Sequence, residues 1–164
     1  MHRRPFSGAF CLEGKMKAVI QRVKSACLSV EGKLVSEIGD GMVCYLGVGK
    51  GDTDDDLRWL VKKTAGLRIF PDGEGRMNLS LLDCGFEILV VSQFTLYGNV
   101  KKGFRPSFIE AEDPESARLM YERFCSELAA TGLKKVATGI FAADMLIEQV
   151  NNGPVTIVLD SKQP

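Results

Sequence analysis

The chain is poor in histidine. Its one histidine, His2, lies at the start of the 164 residues. A Ser-His-Asp or Cys-His catalytic arrangement therefore cannot be assembled within the rest of the chain, and a catalytic metal held by histidines is disfavoured. A hydrolase built on this sequence has to rely on substrate orientation, on backbone hydrogen bonds, or on a group that the substrate brings.

The sequence also lacks paired cysteines. Its five cysteines are odd in number and widely spaced, and no two of them form a C-x-x-C motif. This spacing argues against a disulfide framework and against a structural zinc site. We therefore expect reduced thiols in a cytoplasmic setting and no bound metal.

Long apolar runs and excess charge are missing too. No apolar run approaches the roughly 20 residues that span a bilayer, so we expect no membrane segment. Acidic and basic residues balance at 21 each. Because a nonspecific polyanion binder is usually basic overall, any contact with nucleic acid should be local and small, and no DNA partner is expected.

The first fifteen residues differ from the rest of the chain. They are basic and contain only the short apolar piece Ala9-Phe10-Cys11-Leu12, which is too short for a secretory signal. The sequence from Met16 onward is typical of the start of a first strand. We expect residues 1–15 to be a flexible extension and residues 16–164 to form one domain.

Short runs of apolar or β-branched residues, bounded by turn residues, recur along that domain and are typical of β-strands. Continuous apolar runs, such as residues 42–48 and 86–91, indicate strands buried on both faces. The predicted strands cover residues 17–23, 26–30, 34–38, 42–48, 68–70, 86–91, 145–150 and 155–159.

Two segments have the pattern of amphipathic helices. Leu57, Leu60, Val61 and Thr64 follow helical spacing behind the acidic residues 52–56, whose carboxylates face the positive end of the helix dipole. Asp113 and Pro114 are suited to the N-cap and first position of a second helix, and Gly132 to its end. The sequence predicts an α+β fold, a single strand-rich domain with mixed or antiparallel sheets and two main helices.

Three segments have features of binding sites, and two of them fail the requirements of the motif they resemble. The acidic run at Asp52 lacks the glycine that an EF-hand loop needs at its sixth position, which is Leu57 here. Residues 47–52 are glycine-rich but lack the spacing of a phosphate-binding loop. Residues 101–105 form a basic patch with an aromatic residue, suited either to a solvated loop or to contact with a few phosphates or an unstacked base.

Six separated segments carry recognisable motifs. They are Gln21-Arg22-Val23, Arg76-Met77-Asn78-Leu79, Ser92-Gln93-Phe94-Thr95-Leu96, Arg105-Pro106-Ser107-Phe108, residues 138–145, and Asn152-Gly153-Pro154-Val155-Thr156. In this order along the chain they resemble the D-aminoacyl-tRNA deacylase family. They span the chain from Met16 to near its end, and their agreement in register is stronger than any one of them alone. The sequence departs from the family pattern at Arg76, where lysine is common, at Asn152, where aspartate is common, and in the fifteen-residue extension.

The resemblance implies hydrolysis of the ester bond of D-aminoacyl-tRNA, and of mischarged glycyl-tRNA, without a cofactor. It implies a homodimer whose two sites lie at the subunit interface. In each site a cis Gly-Pro pair of one chain reaches the pocket that receives the aminoacyl-adenosine at the tRNA 3′ end in the other chain. The implied catalytic segment is Ser92, Gln93, Phe94 and Thr95, and the implied substrate-binding residues are Arg22, Met145, Asn152, Gly153 and Pro154.

Two mechanisms stay open under this resemblance. Thr95 could act as the nucleophile, or the ribose 2′-hydroxyl could activate the attacking water while backbone N–H groups near Phe94 and Thr95 stabilise the oxyanion. We favour the second because no residue in the domain is an evident base for Thr95. Arg22 is a candidate to brace the Gly-Pro segment through its several donors.

Two other functions compete with the deacylase. A noncatalytic module could bind the tRNA 3′ end through Lys101, Lys102 and Arg105 and exposed aromatic side chains. A cysteine-dependent esterase is the third possibility, and it would be sensitive to thiol alkylation.

Overall fold

The computed structural model describes residues 15–162, and the predicted extension lies outside them except for Lys15. The α+β class is confirmed, with a strand-rich domain built on a mixed sheet. No helix within residues 15–162 is long and apolar enough to cross a membrane. In chain order the elements are β1 (Lys17–Val30), β2 (Lys33–Ile38), β3 (Gly41–Gly47), α1 (Asp54–Gly66), β4 (Phe70–Pro71), β5 (Met77–Leu79), α2 (Leu81–Cys84), β6 (Glu87–Ser92), a 3-10 helix (Phe94–Tyr97), α3 (Pro114–Ala129), β7 (Lys135–Thr138) and β8 (Leu146–Asp160).

Both predicted helices form, and local caps explain where they begin. The Thr53 side chain accepts a hydrogen bond from the Asp56 N–H, and the Asp56 carboxylate accepts one from the Thr53 N–H at 2.8 Å. This reciprocal pair is a capping box, which satisfies two N–H groups at the start of α1. Asp113 caps α3 by accepting from the Ser116 N–H at 3.0 Å, and Pro114 takes the first position.

The strand boundaries differ from the prediction in three places. Residues 17–23 and 26–30 belong to one strand, β1. Residues 146–150 and 155–159 belong to one strand, β8, and Met145 lies outside it. The predicted strand at 68–70 is wrong except at Phe70, where β4 begins. The one-turn helix α2 and the short strands β5 and β7 were not predicted, because each spans only three or four residues and carries no clear period.

Strand β1 organises the sheet because three other strands pair with it. β8 runs antiparallel along one of its edges. β3 and β2 pair antiparallel with the first and second halves of the other edge. Beyond β3 the sheet continues with β6 and then β7, each in parallel pairing.

The sheet has an apolar core on each face. Alternate residues of a strand point to opposite faces, so Met42 and Val43, or Ile88 and Leu89, belong to different cores. Helices α1 and α3 cover the first core. The second core is closed by curvature, since β2 bends over until the Ser36 hydroxyl donates to the Thr138 carbonyl of β7 at 2.9 Å.

The ladder between β1 and β8 contains one large irregularity. Gln21 pairs with Thr156 and Val23 pairs with Asn151. Between these pairs β1 has a single residue, Arg22, whereas β8 has the four residues 152–155. Because the ladder has no place for them, these residues bulge away from β1. We call residues 152–155 the β8 excursion; it contains the pair Gly153 and Pro154 that the family resemblance had pointed to.

The contact between β3 and β6 yields a test of this topology. A Cβ atom added to Gly41 would lie 1.8 Å from the Glu87 carbonyl oxygen. We expect Gly41→Ala to force the two strands apart and lower the free energy of unfolding by about 1–3 kcal/mol or more, measured by urea denaturation.

The matched control is Gly73→Ala, in the turn after β4, where an added Cβ meets no atom within 4 Å. It should change the free energy of unfolding by no more than about 0.5 kcal/mol. Equal effects of the two substitutions would contradict the close approach of β3 and β6.

Candidate functional site

A pocket of about 710 Å³ lies beyond the carboxyl ends of β3 and β6. Its size is in the usual range for a small-molecule site, roughly 300–1,000 Å³. Among the residues predicted for the site, Ser92, Gln93, Phe94 and Met145 line this pocket. Thr95 follows them on the exposed 3-10 helix and is not part of the lining.

The segment after β6 turns sharply toward the pocket. Its position is fixed by a hydrogen bond to β3 and by the buried side chain of Tyr97. The Gln93 N–H continues the parallel ladder by donating to the Leu46 carbonyl at 2.8 Å, and the 3-10 helix begins at the next residue. Tyr97 ends this helix as a buried side chain, and its hydroxyl donates to the Gly47 carbonyl at 3.1 Å and also contacts the Lys15 carbonyl.

Glycines make room for this tyrosine. A Cβ atom on Gly47 would come within 2.8 Å of the Tyr97 ring, and one on Gly49 would come within 2.9 Å. The glycine-rich stretch that superficially resembled a phosphate loop is therefore a packing surface for Tyr97. This packing fixes the position of the 3-10 helix and of Ser92, Gln93 and Phe94, which line the pocket on this side and which we call its floor.

Two backbone donors at this edge of the pocket have no partner among the described residues. Within residues 15–162, no hydrogen bond is found from the N–H of Phe94 or from the N–H of Thr95. The side-chain amide of Gln93 donates to the Thr95 hydroxyl oxygen. Two adjacent unpaired N–H groups beside an apolar pocket form an arrangement that can stabilise an oxyanion.

Aromatic and small side chains complete the walls. The Phe94 ring is 57% exposed and meets the edge of Phe108 with ring centroids 5.1 Å apart. On the far wall Ala142 has a φ of +64°, which is uncommon for a residue other than glycine. Gly139 allows Met145 to approach, since a Cβ there would lie 2.5 Å from the Met145 sulfur.

One carboxyl near the pocket has an unusual protonation equilibrium. Burial raises the pKa of Asp52 to about 7, although the hydrogen bond from the Gly49 N–H opposes this shift. That bond is 2.6 Å long, and the second carboxyl oxygen of Asp52 is buried without a partner among the described residues. Asp52 does not line the pocket, so its role is to hold the connection after β3.

The Gly-Pro pair lies elsewhere on the chain. Gly153 and Pro154 are exposed in the β8 excursion, they do not line the pocket, and the peptide bond between them is cis. A Cβ atom on Gly153 would lie 2.5 Å from the Val155 backbone nitrogen, so only glycine fits this backbone path. The site residues named from sequence therefore fall into two separate groups within one chain.

Arg22 contacts the base of the excursion. Its Nε donates to the Asn152 carbonyl at 2.8 Å, and its Nη1 donates to the Ile69 carbonyl at 2.7 Å. One planar guanidinium thus joins the excursion to the segment before β4.

The basic residues form the tip of a loop near the pocket. Residues 99–107 are closed by two backbone hydrogen bonds between Asn99 and Ser107, of 2.8 and 2.9 Å. Lys101, Lys102 and Arg105 are exposed, and the Phe104 ring is fully exposed.

Several pocket residues were not predicted to belong to the site. Some lie in segments that carry the family resemblance, but no sequence pattern assigned them a role there. Others lie at the start of α3, where they looked like a helix start only. The main ones are Lys50, Phe108, Glu112, Asp113, Ala117 and Phe141.

Comparison with known proteins points to one family. The family described as D-Tyr-tRNA(Tyr) deacylase matches residues 19–160. The D-aminoacyl-tRNA deacylase of Myxococcus xanthus is 56% identical over 149 residues, which cover 91% of this chain and 97% of that protein. The corresponding protein of Aquifex aeolicus is 54% identical over 148 residues, 90% of this chain and 99% of its own.

Two solved structures are similar in fold. One is a c-Myc DNA unwinding element binding protein, with a TM-score of 0.83 and 41% identity over 87% of this chain and 97% of its own. The other is a probable eukaryotic D-amino acid tRNA deacylase, with a TM-score of 0.76 over 89% of this chain and 99% of its own. At 24% identity the second supports the fold alone.

Proposed function

Because the chain belongs to the D-Tyr-tRNA(Tyr) deacylase family, we propose that it hydrolyses the ester bond of D-aminoacyl-tRNA. The products are free D-amino acid and tRNA, which makes the reaction a chiral proofreading step in translation. The observation that carries the chemistry is that the adjacent N–H groups of Phe94, which lines the apolar pocket, and of Thr95, which follows it, have no hydrogen-bond partner within residues 15–162. The same pocket would accept glycyl-tRNA, since glycine has no side chain to exclude.

The pocket suits the terminal aminoacyl-adenosine. Its aromatic and small walls can hold a base and a ribose, and the free N–H groups lie where an ester carbonyl can approach. No cofactor is needed, because an aminoacyl ester on a ribose is already activated. Ser92 and Gln93 hold the floor in place through the end of the β3–β6 ladder.

Thr95 is poorly placed to act as a nucleophile. The Gln93 amide donates a hydrogen bond to the Thr95 hydroxyl oxygen, so this neighbour cannot remove its proton. The ribose 2′-hydroxyl then takes the role of aligning the attacking water. The protein supplies orientation and oxyanion stabilisation.

A second copy of the chain would complete each site. Gly153 and Pro154 project from the surface and do not line their own chain's pocket. The strand that carries them, β8, also exposes the large apolar side chains Leu146, Val150 and Val158. Exposed apolar residues along one strand are typical of a protein interface. We infer a homodimer in which the β8 excursion of one subunit enters the partner's pocket.

The β8 excursion would exclude L-aminoacyl esters sterically at the point where it enters the partner's pocket. The backbone of Gly153 and Pro154 forms a wall close to the substrate's α-carbon, with Asn152 at its base and Met145 on the pocket side. An L side chain collides with this wall, whereas a D side chain points away from it. Such a pocket rejects L substrates and stays indifferent to which D residue is attached.

The loop at residues 99–107 is suited to the tRNA end that precedes the terminal adenosine. Lys101, Lys102 and Arg105 can contact two or three phosphates, and the exposed Phe104 ring can stack on an unpaired base. Because the whole chain carries no net charge, this contact is local.

The remaining features fit the same activity. We place the deacylase domain at residues 16–164, in keeping with the family match over 19–160, and treat residues 1–15 as an extension to it. The substrate, aminoacyl-tRNA, implies a cytoplasmic location. A noncatalytic module that binds the tRNA 3′ end is the second candidate, favoured by the basic loop and by the nucleic-acid-binding relative of 41% identity.

Purified protein should release D-Tyr from D-Tyr-tRNA and leave L-Tyr-tRNA intact, measured by acid-precipitable radioactivity over time. Equal release from both esters would contradict the chiral site. Retention of tRNA without any release would favour the noncatalytic module. Insensitivity of the activity to thiol alkylation would exclude a cysteine-dependent esterase.

Replacing Thr95 separates the two chemical mechanisms. We expect Thr95→Ala to lower kcat only mildly, because the attacking group comes from water and the 2′-hydroxyl. Loss of about a thousandfold or more, restored by Thr95→Ser, would identify a nucleophile instead. A 2′-deoxyadenosine-ended substrate should lose more activity than Thr95→Ala does.

A further inference from the structure

The side-chain amide of Gln149 makes three hydrogen bonds. Its Nε2 donates to Gln21 Oε1 at 2.7 Å and to Asn151 Oδ1 at 2.6 Å. Its Oε1 accepts from the Tyr45 hydroxyl at 2.7 Å. A primary amide has two N–H donors, so both are used here.

The two acceptors mark the two ends of the β8 excursion. Asn151 is the last β8 residue paired with β1 before the excursion. Gln21 stands opposite Thr156, the first β8 residue paired again after it. The Gln149 amide therefore links the paired residues that precede the excursion to the paired residues that follow it.

This bridge lies on the opposite face of the sheet from Arg22. Gln21 and Arg22 are neighbours in β1, and neighbouring side chains of a strand point to opposite faces. Arg22 reaches the Asn152 carbonyl from its face. The excursion is thus held from both faces, by a guanidinium on one and by an amide on the other.

We propose that Gln149, oriented by Tyr45, is a positioning residue that sets the path of Gly153 and Pro154 and thereby the rejection of L-aminoacyl esters. This role rests on the proposed function, since it acts through the excursion and not by touching substrate. Tyr45 fixes the amide from β3, so the bridge is tied to a strand of the central sheet.

The geometry explains why an amide is needed at position 149. A side chain of the same length without polar atoms fills the same space but leaves the two sides of the excursion unlinked. Burial raises the pKa of Tyr45, so its hydroxyl keeps its proton and remains a donor at neutral pH. The amide is then held in one orientation.

The test compares Gln149→Met with the unchanged protein under single-turnover conditions, on D-Tyr-tRNA and on L-Tyr-tRNA. We expect the rate on the L ester, relative to the D ester, to rise by about tenfold, the range of one or two lost hydrogen bonds. Tyr45→Phe keeps both N–H donors of the bridge and should shift the ratio in the same direction by less. Hydrogen exchange of residues 150–156 should also become faster in Gln149→Met.

Ser36→Ala is the matched control, because it too removes a partly buried side-chain hydrogen bond between strands, far from the excursion in the ladder. It should lower thermal stability without changing the L-to-D ratio. An unchanged ratio in Gln149→Met, whatever happens to its stability or exchange, would overturn the inference. If the unchanged protein hydrolyses neither ester or both equally, the proposed function itself fails, and faster exchange in Gln149→Met would then show a local clamp without a role in selectivity.

Discussion

The pairing of β1 with β8 is the constraint on which the rest of the structure depends. One residue of β1, Arg22, stands opposite four residues of β8, and the excess has to leave the sheet. That departure exposes Gly153 and Pro154, the part of the proposed chiral filter that one chain offers to another. The glycine in it is required by space, since a Cβ on Gly153 would overlap the backbone of Val155.

The pocket is the second part of the proposed site, and other strands of the sheet form it. The parallel pair β3–β6 brings two strand ends to one edge of the sheet, and Tyr97 packs against two glycines to set the 3-10 helix there. The resulting floor presents backbone N–H groups in place of an acid–base side chain. Under the proposed function, this arrangement accounts for hydrolysis by a chain whose one histidine, His2, lies outside the described residues. Selectivity and chemistry would then reside on separate elements, and a homodimer is the simplest way to bring them together.

Local signals in the sequence were sufficient for some of this structure. The aspartates at the start of α1, the Asp113–Pro114 pair at the start of α3 and the apolar spacing behind each predicted both main helices, because helix ends depend on neighbouring residues. The long strands were divided in the prediction because the polar residues at 24–25 and 151–154 look like turns. In the fold they are irregularities of one continuous ladder, which only the partner strand defines. The family resemblance named candidate residues for the site, but it could not show that Arg22 and Gln149 approach the excursion from opposite faces. That relation depends on register, which single-sequence patterns do not specify.

The account's central claim is that the backbone of the β8 excursion rejects L substrates. The most direct measurement is the ratio of kcat/KM for L-Tyr-tRNA and D-Tyr-tRNA in Gly153→Ala, whose added Cβ forces the excursion onto another path. We predict that this ratio rises by about tenfold or more while the protein remains folded. A folded Gly153→Ala variant with the ratio of the unchanged protein would contradict the account.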